Sequence, residues 1–235
     1  MERRRVMVTG AGRGVGRATA KALAVEHGCE VIAVSRSASA LEDLVHSSRG
    51  GPGVIHPVTM DINDDDAGAR LLAHMGRGRL HGLVHNAGAM LRVEWGLYGR
   101  NELAGLFHTN LVVPMILSQS LASCMAGDPP GHIVHIGSMG GFQDSTKFPG
   151  LAAYSASKAA LACLAQCLAE EMKDLQVRSN CLALGAVDTE MLQEAFPGYK
   201  AHVSSTAMGL YVADFVLHGH GLYNGKVLPV AVSTP

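Results

Sequence analysis

Val8-Thr9-Gly10-Ala11-Gly12-Arg13-Gly14-Val15-Gly16 is the stretch whose reading decides the fold. It follows a β-branched run, Arg5–Thr9, and opens an alanine-rich stretch near Val15–His27 that reads as a helix. The strict pattern G-x-G-x-x-G fails here, because Val15 or Arg17 stands where the third glycine belongs. T-G-x-x-x-G-x-G fits instead, through Thr9, Gly10, Gly14 and Gly16. Glycines at such a turn let the backbone approach a pyrophosphate, whose negative charge sits at the N-terminus of the following helix. A purely structural glycine turn is the competing reading. Its place between a first strand and a first helix favours nucleotide binding. Thr9, Gly10, Arg13, Gly14, Val15 and Gly16 are the loop's candidate cofactor contacts.

Working outward, strand and helix signals alternate along the chain. Strands are expected at Arg5–Thr9, Glu30–Ser35, Val54–Met60, Leu80–His85, His132–Ile136, Val177–Ala183 and near Lys226–Val232. Helices are expected near Val15–His27, Leu41–Ser48, Asp64–Gly76, Asn101–Ala126, Ala152–Leu175 and Ser204–Leu217. The pattern predicts an α/β, doubly wound Rossmann-type fold, a parallel sheet with helices on both faces. No linker-like tract or repeat divides residues 1–235, so one domain is expected, its substrate pocket formed by the C-terminal part.

Composition removes several function classes. The chain is 48% hydrophobic and 17% charged, unlike a disordered protein. Nineteen basic residues against 20 acidic ones leave a net charge of −1, which gives no basic field for nucleic acid or an anionic membrane. No apolar run reaches the ~18 residues of a membrane span. The start, Met-Glu-Arg-Arg-Arg, leaves no room for a signal-peptide core, so export is not expected. Five cysteines without framework spacing fit reduced thiols in a cytoplasmic compartment.

The second expected strand ends at Val34-Ser35-Arg36, about twenty residues beyond the glycine loop. An NAD site would place Asp or Glu there for the ribose 2′-hydroxyl. Arg36 stands there instead, with Arg13 in the loop, and two guanidinium groups on one 2′-phosphate would favour NADP(H). Two ordinary surface arginines are the alternative.

Tyr154 and Lys158 lie four apart at the start of a helix and share a face. Alone the pair is weak. Its context is Ser138, just past the strand His132–Ile136, Asn110 in the preceding long helix, and Asn86-Ala87-Gly88 at the end of the fourth strand. With Thr9-Gly10-x-x-x-Gly14-x-Gly16, Asp61 after the third strand, and Asn180, Gly185 and Thr189 around the sixth, the chain resembles the short-chain dehydrogenase/reductase family over nearly its whole length. The resemblance implies a seven-stranded Rossmann-type sheet and hydride transfer between a nicotinamide and a carbonyl or alcohol carbon. It implies Tyr154 as general acid, its pKa lowered by the Lys158 ammonium. It also implies Lys158 on the nicotinamide ribose, Ser138 on the substrate oxygen, and Asn110 anchoring a water that leads to Lys158. Asp61 would contact adenine and Asn86 the adenosine side. Backbone at Val187 and the Thr189 hydroxyl would hold the carboxamide.

Three departures from the family stand out. Sixteen positions separate Ser138 from Tyr154, so a longer loop, Gly141–Leu151, is expected beside the site. The family's Pro-Gly is Leu184-Gly185 here, which predicts a looser turn. The segment Asn224–Pro229 lacks the usual Asp-Gly-Gly.

Ala152–Met172 carries only Lys158, Glu170 and Glu171 as charges and so lacks the outward polar stripe of a sheet-covering helix. Its outer face would meet another subunit, giving a homodimer or homotetramer, or an overlying loop. Cys163 and Cys167 read as small packed residues. His132 and His135, three apart on a strand, face opposite ways. His218 and His220 fall in a glycine-rich turn with no carboxylate expected nearby, so no metal site is expected. Met90, Leu91, Met139, Phe142, Phe148, Leu184, Met191, Leu192 and Phe196 would form a mostly apolar, adaptable pocket, or simply core. The leading expectation is an NADP(H)-dependent oxidoreductase acting on a small, mostly apolar carbonyl or alcohol. A 3-oxoacyl thioester reductase, with Arg92 and Arg100 as a faint basic patch, is the alternative within the class. A non-catalytic NADP(H)-binding redox sensor is the alternative outside it.

Overall fold

The β-branched runs line up side by side in the computed structural model, which describes residues 3–76 and 78–233. Strands β1 (Arg5–Thr9), β2 (Glu30–Ser35), β3 (Val54–Thr59), β4 (Gly82–His85), β5 (Gly131–Ser138), β6 (Val177–Leu184) and β9 (Val227–Val230) form one sheet, ordered β3-β2-β1-β4-β5-β6-β9. Every pairing is parallel. A parallel sheet is covered on both faces, so its central strands are apolar throughout. β5 is buried along its length except at Ser138, whereas the edge strand β3 alternates and tolerates Pro57.

Helices α1 (Gly14–Val25), α2 (Ala38–Ser47) and α8 (Ser205–His218) cover one face. Helices α3 (Ala67–Met75), α5 (Val113–Met125) and α6 (Ala152–Glu171) cover the other. The strand order reverses between β1 and β4, which puts a ligand crevice at the carboxyl ends of those strands. The expected seven-stranded doubly wound sheet is therefore the observed one. A two-stranded parallel pair, β7 (Val187–Asp188) with β8 (Val203–Ser204), and the short helix α7 (Glu190–Ala195) lie between β6 and α8 and were not foreseen.

The expected helix Asn101–Ala126 is interrupted. It runs as α4 (Arg100–Phe107), a π-helical turn at His108–Val112, then α5. Pro114 has no N–H for the Asn110 carbonyl four residues back, so the α-helical ladder cannot pass that point unbroken. Asn110 is fully buried inside the turn.

Two expectations near the ends are corrected. His218 closes α8, where the helical repeat brings Asp214 Oδ1 to 2.9 Å from its Nδ1, so a carboxylate is at hand. The Leu184-Gly185 turn is not loose, because the Gly185 and Ala186 amides donate to the carbonyls of Val230 and Ser233 at 3.0 and 3.1 Å. Among the described residues no cluster of three or more His, Cys, Asp or Glu could hold a metal, and no helix is long and apolar enough to cross a membrane. His132 and His135 do face opposite ways, toward α8 and α5 respectively. His132 Nδ1 meets the Val216 carbonyl, while His135 stacks on His85, whose Nε2 meets Ser118 Oγ at 2.9 Å.

Candidate active site

The crevice is a cavity of about 800 Å³ bordered by the carboxyl ends of β1, β2, β4, β5 and β6. Its adenosine-side floor is the glycine loop. Gly10 and Gly14 have φ of +67° and +54°, a region costly for side-chain-bearing residues. A Cβ on Gly16 would lie 2.2 Å from Asn86 Nδ2. That close approach lets the Asn86 amide donate to the carbonyls of Thr9 and Gly10, both at 3.1 Å. Thr9 is buried, and its hydroxyl accepts from the amides of Asn86 and Ala87 and donates to the Val84 carbonyl. Thr9 and Gly16 thus lie behind the cavity wall and brace it, while Gly10, Arg13, Gly14 and Val15 line it.

Helix α1 begins at Gly14 with no side-chain cap and no acidic residue in its first turn. Its orphan N–H groups and positive dipole end therefore face the cavity, a setting that suits a pyrophosphate. Beyond it stand Ser35, Arg36 and Ser37, with Asp61 and Asn63 beside them. The Asp61 carboxyl is held below its usual range, chiefly by the Asn63 amide at 3.0 Å, with the Asn63 side chain and Arg36 adding to this against the effect of burial. The two arginines do not converge in this structure. Arg36 Nη1 is 3.8 Å from Asp61, and Arg13 Nη1 reaches across the mouth to Glu194 of α7 at 3.4 Å.

At the other end lie Ser138, Tyr154 and Lys158. Gly141 allows the turn after β5 to press on α6; a Cβ there would lie 2.6 Å from the Ala159 amide nitrogen. This sets Ser138 beside Tyr154, near enough for its hydroxyl to act on that of the tyrosine, while Ser138 Oγ accepts from the Gly140 amide at 3.1 Å. Lys158 is buried, with Nζ 2.9 Å from the Ile136 carbonyl and 6.0 Å from the centre of the Tyr154 ring. The expected electrostatic order is corrected here. Burial raises the Tyr154 pKa, with Ser138 opposing, and burial brings Lys158 down to about 8.

Asn110 does not line the cavity. Its Oδ1 accepts from the Ala89 amide at 2.8 Å, and its Nδ2 donates to the Ala89 carbonyl and to Ser157 Oγ, both at 2.9 Å. Ser157 Oγ donates onward to the Tyr154 carbonyl at 2.7 Å. Ser157 is a hub that sequence reasoning missed, because nothing in a serine between Tyr and Lys announces which way its hydroxyl points. Gly88 lies between Asn110 Oδ1 and Lys158 Nζ, 3.2 and 3.3 Å from where its Cβ would be.

Asn86, Ala87, Gly88, Gly185, Val187 and Thr189 also line the cavity. Of the expected apolar pocket, Met90, Met139, Phe148, Leu184, Met191, Leu192 and Phe196 line it; Leu91 and Phe142 do not. The long Ser138–Tyr154 connection borders the site through Phe148 and Leu151, as its length implied.

The uncapped helix start, the flanking arginines and the buried lysine form a donor set that fits a nicotinamide dinucleotide. The comparisons agree with that geometry. Carbonyl reductase (NADPH) 2 of Sus scrofa is 37% identical over 188 residues, 80% of this chain and 73% of that protein. L-xylulose reductase of Cavia porcellus is 35% identical over 240 residues, covering 97% and 94% of the two chains. A solved structure described as a putative NAD(P)-dependent gluconate 5-dehydrogenase from Beutenbergia cavernae with bound NADP superposes with a TM-score of 0.82 at 28% identity, over 97% of this chain and 95% of that one. The family described as short chain dehydrogenase matches residues 4–200. The chain belongs to the short-chain dehydrogenase/reductase family of nicotinamide-dependent oxidoreductases.

Proposed function

We propose that the protein is an NADP(H)-dependent reductase of small, mostly apolar carbonyl compounds, working reversibly on the corresponding alcohols. The observation that carries this reading is that Ser138, Tyr154 and buried Lys158 line the same cavity as the anion-ready start of α1. A nicotinamide held there supplies or accepts the hydride. Tyr154 gives its proton to the carbonyl oxygen, and Ser138 donates a hydrogen bond to that oxygen. Lys158 would bind the ribose hydroxyls. Asn110 sets the Ala89 backbone behind Lys158 and anchors the water that leads proton traffic to it.

The 2′-phosphate of NADP(H) goes to Arg36 and Arg13, with the start of α2 beside it. Arg36 would leave Asp61 and Arg13 would leave Glu194, exchanges between exposed partners that cost little. The relative whose name specifies NADPH supports this choice. Asp61 contacts adenine, Asn86, Ala87 and Gly88 flank the adenosine side, and Gly185, Val187 and Thr189 hold the carboxamide. Residues 1–235 act as one unit, with no nucleic-acid or membrane partner. The five free thiols support work in the reducing cytoplasm, as a homodimer or homotetramer.

A relative at 30% identity is named 3-oxoacyl-(acyl-carrier-protein) reductase, from Thermotoga maritima. The two arginines of the basic patch are exposed, with one Arg92 guanidinium nitrogen bonded to the Ala195 carbonyl. The test is a pair of measurements. NADPH and NADH are titrated against wild type and Arg36→Ala; NADPH should bind much more tightly to wild type, and the variant should lose that advantage. Tyr154→Phe should keep cofactor affinity and lose at least roughly a hundredfold in carbonyl turnover. Equal affinities in wild type sink the cofactor choice, and near-normal turnover in Tyr154→Phe sinks the catalytic one.

A further inference from the structure

One cation joins three loops at the Ser138–Tyr154 end of the cavity. Arg92, in the connection between β4 and α4, donates from Nη1 to the carbonyl of Ala195, the last residue of α7. Its guanidinium carbon lies 5.4 Å from the centre of the Phe196 ring. Phe196 in turn stands edge-on to Phe148, of the Ser138–Tyr154 connection, with ring centres 5.4 Å apart and planes at 76°. The same two connections are tied where the Val93 amide and the Tyr98 hydroxyl both meet the Gly150 carbonyl, at 3.0 and 3.3 Å. Gly150 has φ +81°, and a Cβ there would lie 3.3 Å from Arg92 Cγ, so the arginine stem runs directly over this turn.

Phe148, Ala195 and Phe196 line the cavity, whereas Arg92 does not. The arginine therefore sets the wall without being part of it. The Ala195 carbonyl lies in the last turn of α7, where carbonyls lack helical donors and carry the negative end of the helix dipole. A guanidinium satisfies both needs, and its flat face also suits the Phe196 ring. The Phe148–Phe196 pair it fixes is an apolar part of a lining that also includes Met139 and Leu151 as well as polar Glu190 and Glu194. Substrate hydroxyls pressed against the pair would lose their water without gaining a partner, while an aromatic ring would find two ring edges and faces.

Resting on the reading that Tyr154 protonates a carbonyl here, we propose that Arg92 is a specificity-determining positioning residue. It holds the Phe196–Phe148 pair as an apolar wall that selects aryl ketones over polyhydroxylated ones.

The experiment uses the purified protein with saturating NADPH and two probes, 4-nitroacetophenone and the ketopentose xylulose. Wild type should favour the aryl ketone in kcat/KM. Arg92→Met keeps an unbranched apolar stem but removes the guanidinium and its donors. It should raise KM for the aryl ketone about tenfold, with kcat within about threefold, NADPH affinity unchanged and little effect on xylulose. Arg92→Lys, which keeps a charge and a donor, should recover part of the loss. Because Arg92 acts through Phe196, adding Arg92→Met to Phe196→Ala should not multiply the defect. Amide hydrogen exchange over residues 190–196 should be faster in Arg92→Met than in wild type, a readout that needs no turnover. A wild-type preference for xylulose, equal KM effects on both probes, multiplying defects, or unchanged exchange each overturns the proposal. A wild type that turns over no carbonyl removes the catalytic reading and the substrate selection together, while the exchange result still decides whether Arg92 holds α7.

Discussion

Lowering the pH from 7.5 to 5.0 should destabilise this fold sharply, and three histidines in the sheet are the reason. His85 of β4 and His132 and His135 of β5 are buried, with exposures of 2%, 0% and 0%. Desolvation pushes His85 and His132 down to about 3, with the carbonyls of Val216 and Phe215 resisting this for His132. His135 lies well below its ordinary value for the same reason, and the nearby charges of His85, Lys158 and His132 add to it. In the unfolded chain each titrates near 6.5. Below that pH the unfolded chain takes up protons that the fold refuses until about pH 3, so their contribution is intact above 6.5 and is lost as pH falls. At pH 5.0 each of His85 and His132 costs about 2 kcal/mol. Together that is about 4 kcal/mol, with His135 acting in the same direction, against a total stability of roughly 5–15 kcal/mol. For a chain of this size the melting temperature should drop by roughly 8–16 °C. Circular dichroism melts at fixed protein concentration measure it. The double variant His85→Asn/His132→Asn should lose most of the slope, whatever its stability at pH 7.5. A wild-type melting point that is flat between the two pH values, or a double variant with the full wild-type slope, refutes the reasoning.

Two further outcomes are expected. Carbonyl reduction should fall as pH rises through about 8, because a Lys158 pKa lowered by burial means the ammonium is lost there rather than near 10.5; a pH profile of kcat/KM that stays level to pH 9.5 contradicts this. Assembly should use an apolar face of α5 and α6, since Val112, Met115 and Ile116 are 41%, 48% and 45% exposed and Ala152, Ala156, Ala159 and Cys163 of α6 are exposed as well. Ile116→Asp puts a charge at the centre of that face and should yield monomers by light scattering at micromolar concentration, where wild type should be dimeric or larger.

The strands were legible because a parallel sheet buried on both faces demands short β-branched runs, and the bounds of β1 and β2 follow from the sequence to the residue. The glycine loop was legible for the same kind of reason, since glycine adopts φ of +54° at Gly14 without strain and alone leaves room for the contact between Gly16 and Asn86. What escaped the sequence depended on three-dimensional partners. The π-helical turn at Asn110 arises from Pro114 and from bonds to Ala89 and Ser157, and Ser157 lies 47 residues away along the chain. Helix α7 has six residues, too few for a periodicity to register. The direction of the tyrosine's pKa was misjudged because spacing brings Lys158 onto the same helix face, but its Nζ turns to the Ile136 carbonyl. Arg13 and Arg36 both line the cavity, yet each is paired with a carboxylate that a linear pattern does not reveal.

Position and strength of the site have one structural origin. The cavity end that holds Tyr154 rests on a buried polar layer, in which Lys158, Asn110, Ser157, His85 and His135 all lie under apolar helices. Buried polar groups favour a fold only when they are paired in a fixed arrangement, so each bond in the layer removes alternatives. Asn110 commits three of its hydrogen bonds and joins the end of β4 to α6. Lys158 is fixed on β5, and Ser157 on the carbonyl of the tyrosine it serves. A tyrosine on a helix anchored at β4, β5 and the π turn has little freedom to drift from Ser138. If Tyr154 is the acid, as proposed, that rigidity would keep it within reach of one oxygen position, with the histidines carrying the cost as sensitivity to low pH.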